Sequence, residues 1–512
     1  MGGRTHAAAP ARRALQPPRG GPRLTPDATP GSASAEPRPV AGRDPRGRAP
    51  DARLAATRVL LDVAAGRRAD SALEGRGRTL TRADRALAQE IAFGTLRWKL
   101  LLDERLDALL RRGLVSLPLT VQAVLEVAAY QILFLDRIPA RAAIHTAVDH
   151  VRELLPASQA RGLTGVVNAT LRALAAEPSA RPSGLAAPPA SESGPAGLVT
   201  SEAAPESSAT AAELSRASSH PLWLVERWLE RFGPARARAL LAAGNERPAV
   251  HLRPHAGRIG AGELVERLGT EGAEAWLHPA IEGCVVLGRG DPRTLATFAQ
   301  GLFTVQDAGA QLVSRLVEPP QAGLVVDVCA APGGKLGALA ERPTGATLVA
   351  CDLSPLRLRR LAGTASRMQL PLRLLAADAR HVAFSRPADL VVADVPCLGT
   401  GTLRRRADAR WRKSPDLLPR LVELQREILL NAASLLASGG HLLYSTCSLE
   451  REENEDQVEW LLRAWPELQA VDLAGRLPAS WTVAVAPGAA ALFVTPEATD
   501  CDGAFAALLE RR

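Results

Sequence analysis

Past residue 303 the chain repeats a pattern that few architectures accommodate. Short apolar runs at 323–328, 347–351, 373–377, 389–393 and 440–446 are separated by helix-length stretches such as 355–368 and 417–436. Strand, crossover helix and strand in succession predict an α/β domain built on a mostly parallel, doubly wound sheet. In such sheets ligands bind outside the carboxyl ends of the strands, where the strand order reverses. Residues that carry chemistry are therefore expected just after each run.

The first run leads into Cys329-Ala330-Ala331-Pro332-Gly333-Gly334-Lys335, a Gly-rich turn opening a helix. Backbone can approach a ligand closely there. A Walker loop would need Gly where Cys329 stands and Ser or Thr where Leu336 stands, and a dinucleotide fingerprint needs glycines at other spacings. The turn instead suits a nucleoside without phosphates, and S-adenosylmethionine is such a ligand. Asp352, Asp378 and Asp394 close the next three runs. Asp352 is placed to accept hydrogen bonds from ribose hydroxyls and Asp378 to meet an adenine amine. A lone strand-end Asp is as often a turn former, but three in succession point to a ligand.

Two thiols reach the same edge: Cys397, in Asp394-Val395-Pro396-Cys397, and Cys447, in Ser445-Thr446-Cys447-Ser448. Carbon 5 of cytosine accepts a methyl group only after a thiolate adds to carbon 6. Product release then needs a second group to act on the adduct. Asp394 could hold the exocyclic amine and ring nitrogen 3. Taken alone, a cysteine is more often a small buried hydrophobe, and the residues leave open which of the two attacks.

The rest of the chain is organised differently. Residues 1–50 are rich in Pro, Gly and Arg and read as a disordered tail. Residues 51–176 show helical periodicity, with Pro118 and Pro139 at expected helix starts, and predict an all-α domain. Residues 177–217, dense in Ala, Ser and Pro, read as a flexible linker. Residues 218–302 suggest a small α+β subdomain in which Trp223 and Trp228, at helical spacing, are core rather than base-stacking, and 303–512 form the catalytic domain. A net charge of +8 favours a nucleic-acid partner. The six cysteines form no Cys-x-x-Cys pair, so neither a disulfide scaffold nor a metal site is expected. Cys284, Cys351 and Cys501 are read as structural. With neither a spanning segment nor a secretory signal, the reading is a cytoplasmic, monomeric protein.

The strings Cys-Ala-Ala-Pro-Gly-Gly-Lys, Asp-Val-Pro-Cys followed by Gly399-Thr400-Gly401 and Leu403-Arg404-Arg405, and Ser-Thr-Cys-Ser followed by Glu452-Glu453-Asn454-Glu455 resemble the Nop2/Sun family of RNA cytosine-5 methyltransferases. The helical region resembles a NusB-like RNA-binding domain, a combination similar to bacterial members that act on ribosomal RNA. The resemblance implies a Rossmann-like class I methyltransferase fold, with Cys329 to Lys335, Asp352, Asp378 and Asp394 binding S-adenosylmethionine. It also implies Cys447 as nucleophile and Cys397 as the residue needed for product release. The competing readings are a non-catalytic RNA-binding assembly factor and a DNA cytosine-5 methyltransferase.

Arg404, Arg405, Arg406, Arg410, Arg412 and Lys413 around Trp411 are expected to form a basic rim for RNA phosphates and a splayed base. Two departures from the family pattern, Ala504 where an aromatic residue is usual and Ala407 where proline is usual, are read as lying outside the chemical core.

Overall fold

The computed structural model describes residues 51–177 and 209–512. The expectations for the tail at 1–50, and for the linker as far as residue 208, fall outside the described residues.

The helical region comprises α1 Ala52–Ala64, α2 Ala69–Arg76, α3 Arg82–Arg97, α4 Lys99–Leu109, α5 Leu119–Phe134, α6 Ala140–Leu154 and α7 Ala157–Ala176. Asp51 caps α1 by accepting from the backbone of Arg53 at 2.7 Å, while Pro118 and Pro139 precede α5 and α6 as the sequence predicts. Their apolar faces close one core that includes Ile91, Leu102, Val124, Leu125, Val167 and Leu171. Ala407, more than 200 residues later in the chain, is buried in the same core.

The end of the expected linker is not flexible chain. Thr210 and Glu213 form a reciprocal capping box that starts α8, Ala211–Ser218, satisfying two N-terminal backbone donors. Helix α9, Leu222–Asn245, is broken at Gly233 and Pro234. Leu224, Val225 and Trp228 of α9 are buried in the core of the catalytic sheet, and Trp223 packs on that core. The core reading of the tryptophans thus agrees with the structure, although their core is the catalytic one.

The small subdomain is an antiparallel sheet of β1 Val250–Pro254, β2 Glu274–Leu277, β3 Val285–Arg289 and β4 Phe303–Val305, in the order β2-β3-β1-β4, with α10 Ala261–Thr270 packed on it. Because β4 pairs with β1, this sheet runs past residue 302.

The catalytic sheet contains parallel strands β5 Leu324–Asp327, β6 Thr347–Asp352, β7 Leu372–Ala376, β8 Ala388–Asp394 and β9 Leu436–Thr446. Antiparallel β10 Leu468–Ala470, β11 Thr482–Ala486, β12 Ala489–Val494 and β13 Ala504–Arg511 extend it beyond β9. The order is β11-β12-β13-β9-β8-β5-β6-β7, with β10 on β13. Order reverses at β5, whose neighbours are β6 and β8, and this is the switch point at which a ligand crevice opens. Alternate residues of these strands feed two apolar cores, one on each face. Among the described residues, no helix is long and apolar enough to cross a membrane.

Candidate active site

In spatial order β7-β6-β5-β8-β9, the carboxyl ends present Asp378, Asp352, Asp327, Asp394 and Cys447. Asp327 is not among the residues that the sequence singles out. Its side chain is buried at the end of β5 and accepts from the backbone of Cys329 at 3.1 Å. Burial, with the Asp394 carboxylate beside it, pushes its carboxyl up to about 7.

Asp352, also buried, organises the turn. One carboxylate oxygen accepts from Ala331 N at 3.2 Å and the other from Ser354 N at 2.9 Å, and Arg357 lies 3.1 Å away. Gly333 turns the chain with a φ of +98°, where a Cβ would sit 2.1 Å from Leu361 Cδ1, so only glycine fits. Lys335 reaches across to Asp394, 2.6 Å from Nζ to Oδ2, while Ser445 Oγ donates to the other oxygen at 2.9 Å. Asp378 is more open and pairs with Arg380 at 2.7 Å, whose hydrogen bonds hold its carboxyl down at about 2.

The thiols meet. Cys397 Sγ and Cys447 Sγ are 3.4 Å apart, both half-buried and free. The shared hydrogen bond lowers the Cys447 thiol, against its burial, and the positive charges of Arg406 and Lys335 add to the effect. The same bond, burial and the nearby Glu453 carboxylate push Cys397 well up. The two thiols thus differ in proton affinity, with Cys447 the more acidic of the pair. Cys329, pushed up by burial and by the Asp327 and Asp394 carboxylates, stays a thiol. Cys284, Cys351 and Cys501 are buried.

The residues after each cysteine hold the pair in place. Glu453 accepts from Leu398 N at 2.9 Å and from Gln425 Nε2 at 3.0 Å. Asn454 accepts from Thr446 Oγ1 at 2.6 Å and donates to the Ser448 carbonyl at 3.0 Å. Gly401 N donates to the Cys447 carbonyl at 3.0 Å, and Gly503 N to the Gly401 carbonyl at 2.8 Å. Gly503, next to Ala504, therefore braces the backbone of Cys447 through Gly401. Glu450 accepts from Trp228 Nε1 at 3.2 Å and from Arg227 at 2.7 Å, tying the loop to α9.

The basic rim is corrected by the structure. Arg404 and Arg410 are each 1% exposed. Arg404 pairs with Asp500 at 2.6 Å, Arg405 with Asp502 at 2.7 Å and Arg412 with Asp408 at 2.8 Å. Trp411 donates to the Leu96 carbonyl at 2.6 Å and packs on the helical core. Arg406 alone of the five arginines is exposed. Buried guanidinium groups need oxygen acceptors, and the fold supplies them from segments distant in sequence. No cluster of three or more His, Cys, Asp or Glu among the described residues could hold a metal ion.

Residues 314–510 match the family described as 16S rRNA methyltransferase RsmB/F, residues 50–176 the NusB family, and residues 220–292 the ferredoxin-like domain of RsmF/B-like methyltransferases. The ribosomal RNA small subunit methyltransferase B of Pseudomonas putida is 35% identical over 430 residues, covering 82% of this chain and 91% of that one. The probable ribosomal RNA small subunit methyltransferase B of Synechocystis is 31% identical, with 84% and 92% covered. The crystal structure of PH0851 shares the fold, with a TM-score of 0.70 at 23% identity over 90% of this chain and 99% of that one.

Proposed function

Since the chain belongs to the 16S rRNA methyltransferase RsmB/F family, we propose that it uses S-adenosylmethionine to methylate carbon 5 of a cytosine in small-subunit ribosomal RNA, with Cys447 as the nucleophile. The observation that carries this reading is the thiol pair, 3.4 Å apart beside an edge of aspartates.

The strand-end aspartates fit this cosubstrate. Asp352, Asp378 and Asp394 can accept from hydroxyl and amino groups, and the acidic edge favours a sulfonium cation over a polyphosphate. When bound, S-adenosylmethionine supplies an electrophilic methyl group. The turn from Cys329 to Lys335 lines its site, and exposed Leu353 and Leu356 beside Asp352 offer apolar surface to its base.

The protein's own part begins with the Cys447 thiolate. Its sulfur forms a bond to carbon 6 of cytosine, and the electron pair of the 5,6 double bond becomes available at carbon 5. Asp394, held by Lys335 and Ser445, accepts from the exocyclic amine and orients the ring. After carbon 5 is methylated its proton leaves to a base, the double bond re-forms, and the carbon–sulfur bond breaks to regenerate the thiolate. Cys397, protonated and hydrogen-bonded to the departing sulfur, assists this release. The target base must be exposed or flipped to reach the thiol, and the helical domain would grip the surrounding RNA. The proposed location is the cytoplasm.

Bisulfite sequencing of ribosomal RNA from cells with and without the gene tests the assignment. Loss of one protected cytosine in the small-subunit RNA is expected. An unchanged pattern, together with transfer of tritiated methyl groups to duplex DNA by the purified protein, would overturn it.

A further inference from the structure

We propose that Arg410 is a positioning residue for the thiol pair, linking the helical bundle to the segment that runs on from Cys397.

Its guanidinium is buried, and its partners are oxygens from three separate segments. Nη1 donates to the Arg97 carbonyl at 3.1 Å, to the Ser219 carbonyl at 3.2 Å and to Asn245 Oδ1 at 2.8 Å, and Nη2 donates to the Gly244 carbonyl. None of these acceptors is a carboxylate. The cation is therefore held by the junction between the end of α3, the turn after α8 and the end of α9; its buried Nε has no partner, and its two terminal nitrogens keep their acceptors only when all three sit in register.

The same segment is attached to the bundle at further points. Arg97 Nη2 donates to the Arg404 carbonyl at 2.9 Å, Trp411 Nε1 donates to the Leu96 carbonyl at 2.6 Å, and Ala407 is buried in the bundle core. At its other end the segment holds the active site, where Gly401 donates to the Cys447 carbonyl at 3.0 Å and Leu398 donates to Glu453 at 2.9 Å. Between these ends Arg404 and Arg405 are fixed by Asp500, Asp502 and Asp307. A segment anchored at both ends and in the middle transmits displacement instead of absorbing it. RNA pulling on the corner between α3 and α4 therefore acts on the geometry of the two sulfurs. That last step rests on the RNA reading above; the positioning role does not.

The test uses the full chain carrying Arg410→Met, Arg410→Lys or Asn245→Ala. The pH dependence of Cys447 alkylation by iodoacetamide, followed by mass spectrometry of its peptide, needs neither RNA nor cofactor. Methyl-transfer kinetics on ribosomal RNA give kcat and KM. Arg410→Met is expected to raise the alkylation midpoint and lower kcat by roughly ten- to a hundredfold, with KM for cofactor little changed. Arg410→Lys, which keeps three donors, should restore part of both. Asn245→Ala removes one acceptor, should move both readouts less in the same direction, and decides the matter if Arg410→Met does not fold. Folded variants with a wild-type midpoint and wild-type kcat, whatever their melting temperature, would reduce Arg410 to a stabilising residue and overturn the proposal. A midpoint that moves in a protein that methylates no RNA would leave the positioning role standing and remove only the functional reading.

Discussion

Cys397 Sγ lies 3.4 Å from Cys447 Sγ, inside hydrogen-bond reach for sulfur and well beyond the roughly 2.05 Å of a disulfide. Parallel pairing of β8 with β9, in which Asp394 stands opposite Ser445, brings the two strand ends together. The hydrogen bond between them pulls their proton affinities apart, and Arg406 and Lys335 near Cys447 and Glu453 near Cys397 act in the same sense. Catalytic sites commonly separate the proton affinities of two like groups in this way.

One consequence concerns pH. Cys447 is held down first by the hydrogen bond from Cys397. Cys397→Ala removes that donor, so the midpoint for alkylation of Cys447 should rise. Iodoacetamide kinetics between pH 5 and 10 read this directly; an unmoved or lowered midpoint would mean the two sulfurs do not share a proton.

Asp327 makes a prediction about stability. Its folded carboxyl is pushed up to about 7, from the ordinary aspartate value of about 3.9, by burial and Asp394. Between those values the native state holds a proton that the unfolded chain has lost, so this group's contribution to stability falls as pH rises, by at most about 1.4 kcal/mol per pH unit. Asp327→Asn removes the dependence. Its stability relative to the parent should improve from pH 4 to pH 7 in denaturant titrations, and a constant or worsening difference would contradict the assignment.

Gly401 tests the brace behind the nucleophile. A Cβ there would lie 2.6 Å from Gly503 Cα and 2.9 Å from the Cys447 carbonyl oxygen. Both are backbone atoms, so the loop must move. Gly401→Ala should lower kcat by roughly a hundredfold while cofactor affinity measured by calorimetry stays within a few-fold; near-normal turnover would show that the close approach is dispensable.

The cofactor edge predicts a ranking. Asp352 is buried and holds two backbone donors, whereas Asp378 is more open and engaged by Arg380. Asp352→Ala should weaken S-adenosylhomocysteine by roughly ten- to a hundredfold, and Asp378→Ala by less. The opposite ranking would place the ribose elsewhere.

Much of this site was legible in the sequence because strand ends are marked by a change from apolar to polar residues. The runs expected at 347–351 and 389–393 differ from the observed β6 and β8 by one residue at most at each end. Asp327 is not distinguished in the sequence because it sits inside the apolar run 323–328, before Val328. Strands β11 to β13 escaped because alanines such as Ala484, Ala490 and Ala506 carry little strand preference; pairing onto β9 decides their conformation. The arginines after Cys397 misled for a different reason. Composition cannot tell a guanidinium facing RNA from one whose acceptors, Asp500 and Asp502 for Arg404, lie nearly 100 residues away. Glu452 and Glu455 stand in the family string, but their work in clamping α9 through Arg227 and Arg231 depends on partners more than 220 residues earlier.

The most direct test of the account is a denaturing gel of protein incubated with ribosomal RNA and S-adenosylmethionine. Cys397→Ala should show a slow-migrating covalent protein–RNA band, because the adduct forms on Cys447 and is released poorly. Cys447→Ala should show neither band nor methyl transfer. Methylation by Cys447→Ala, or an adduct carried by Cys397 in that variant, would contradict the assignment of Cys447 as the nucleophile.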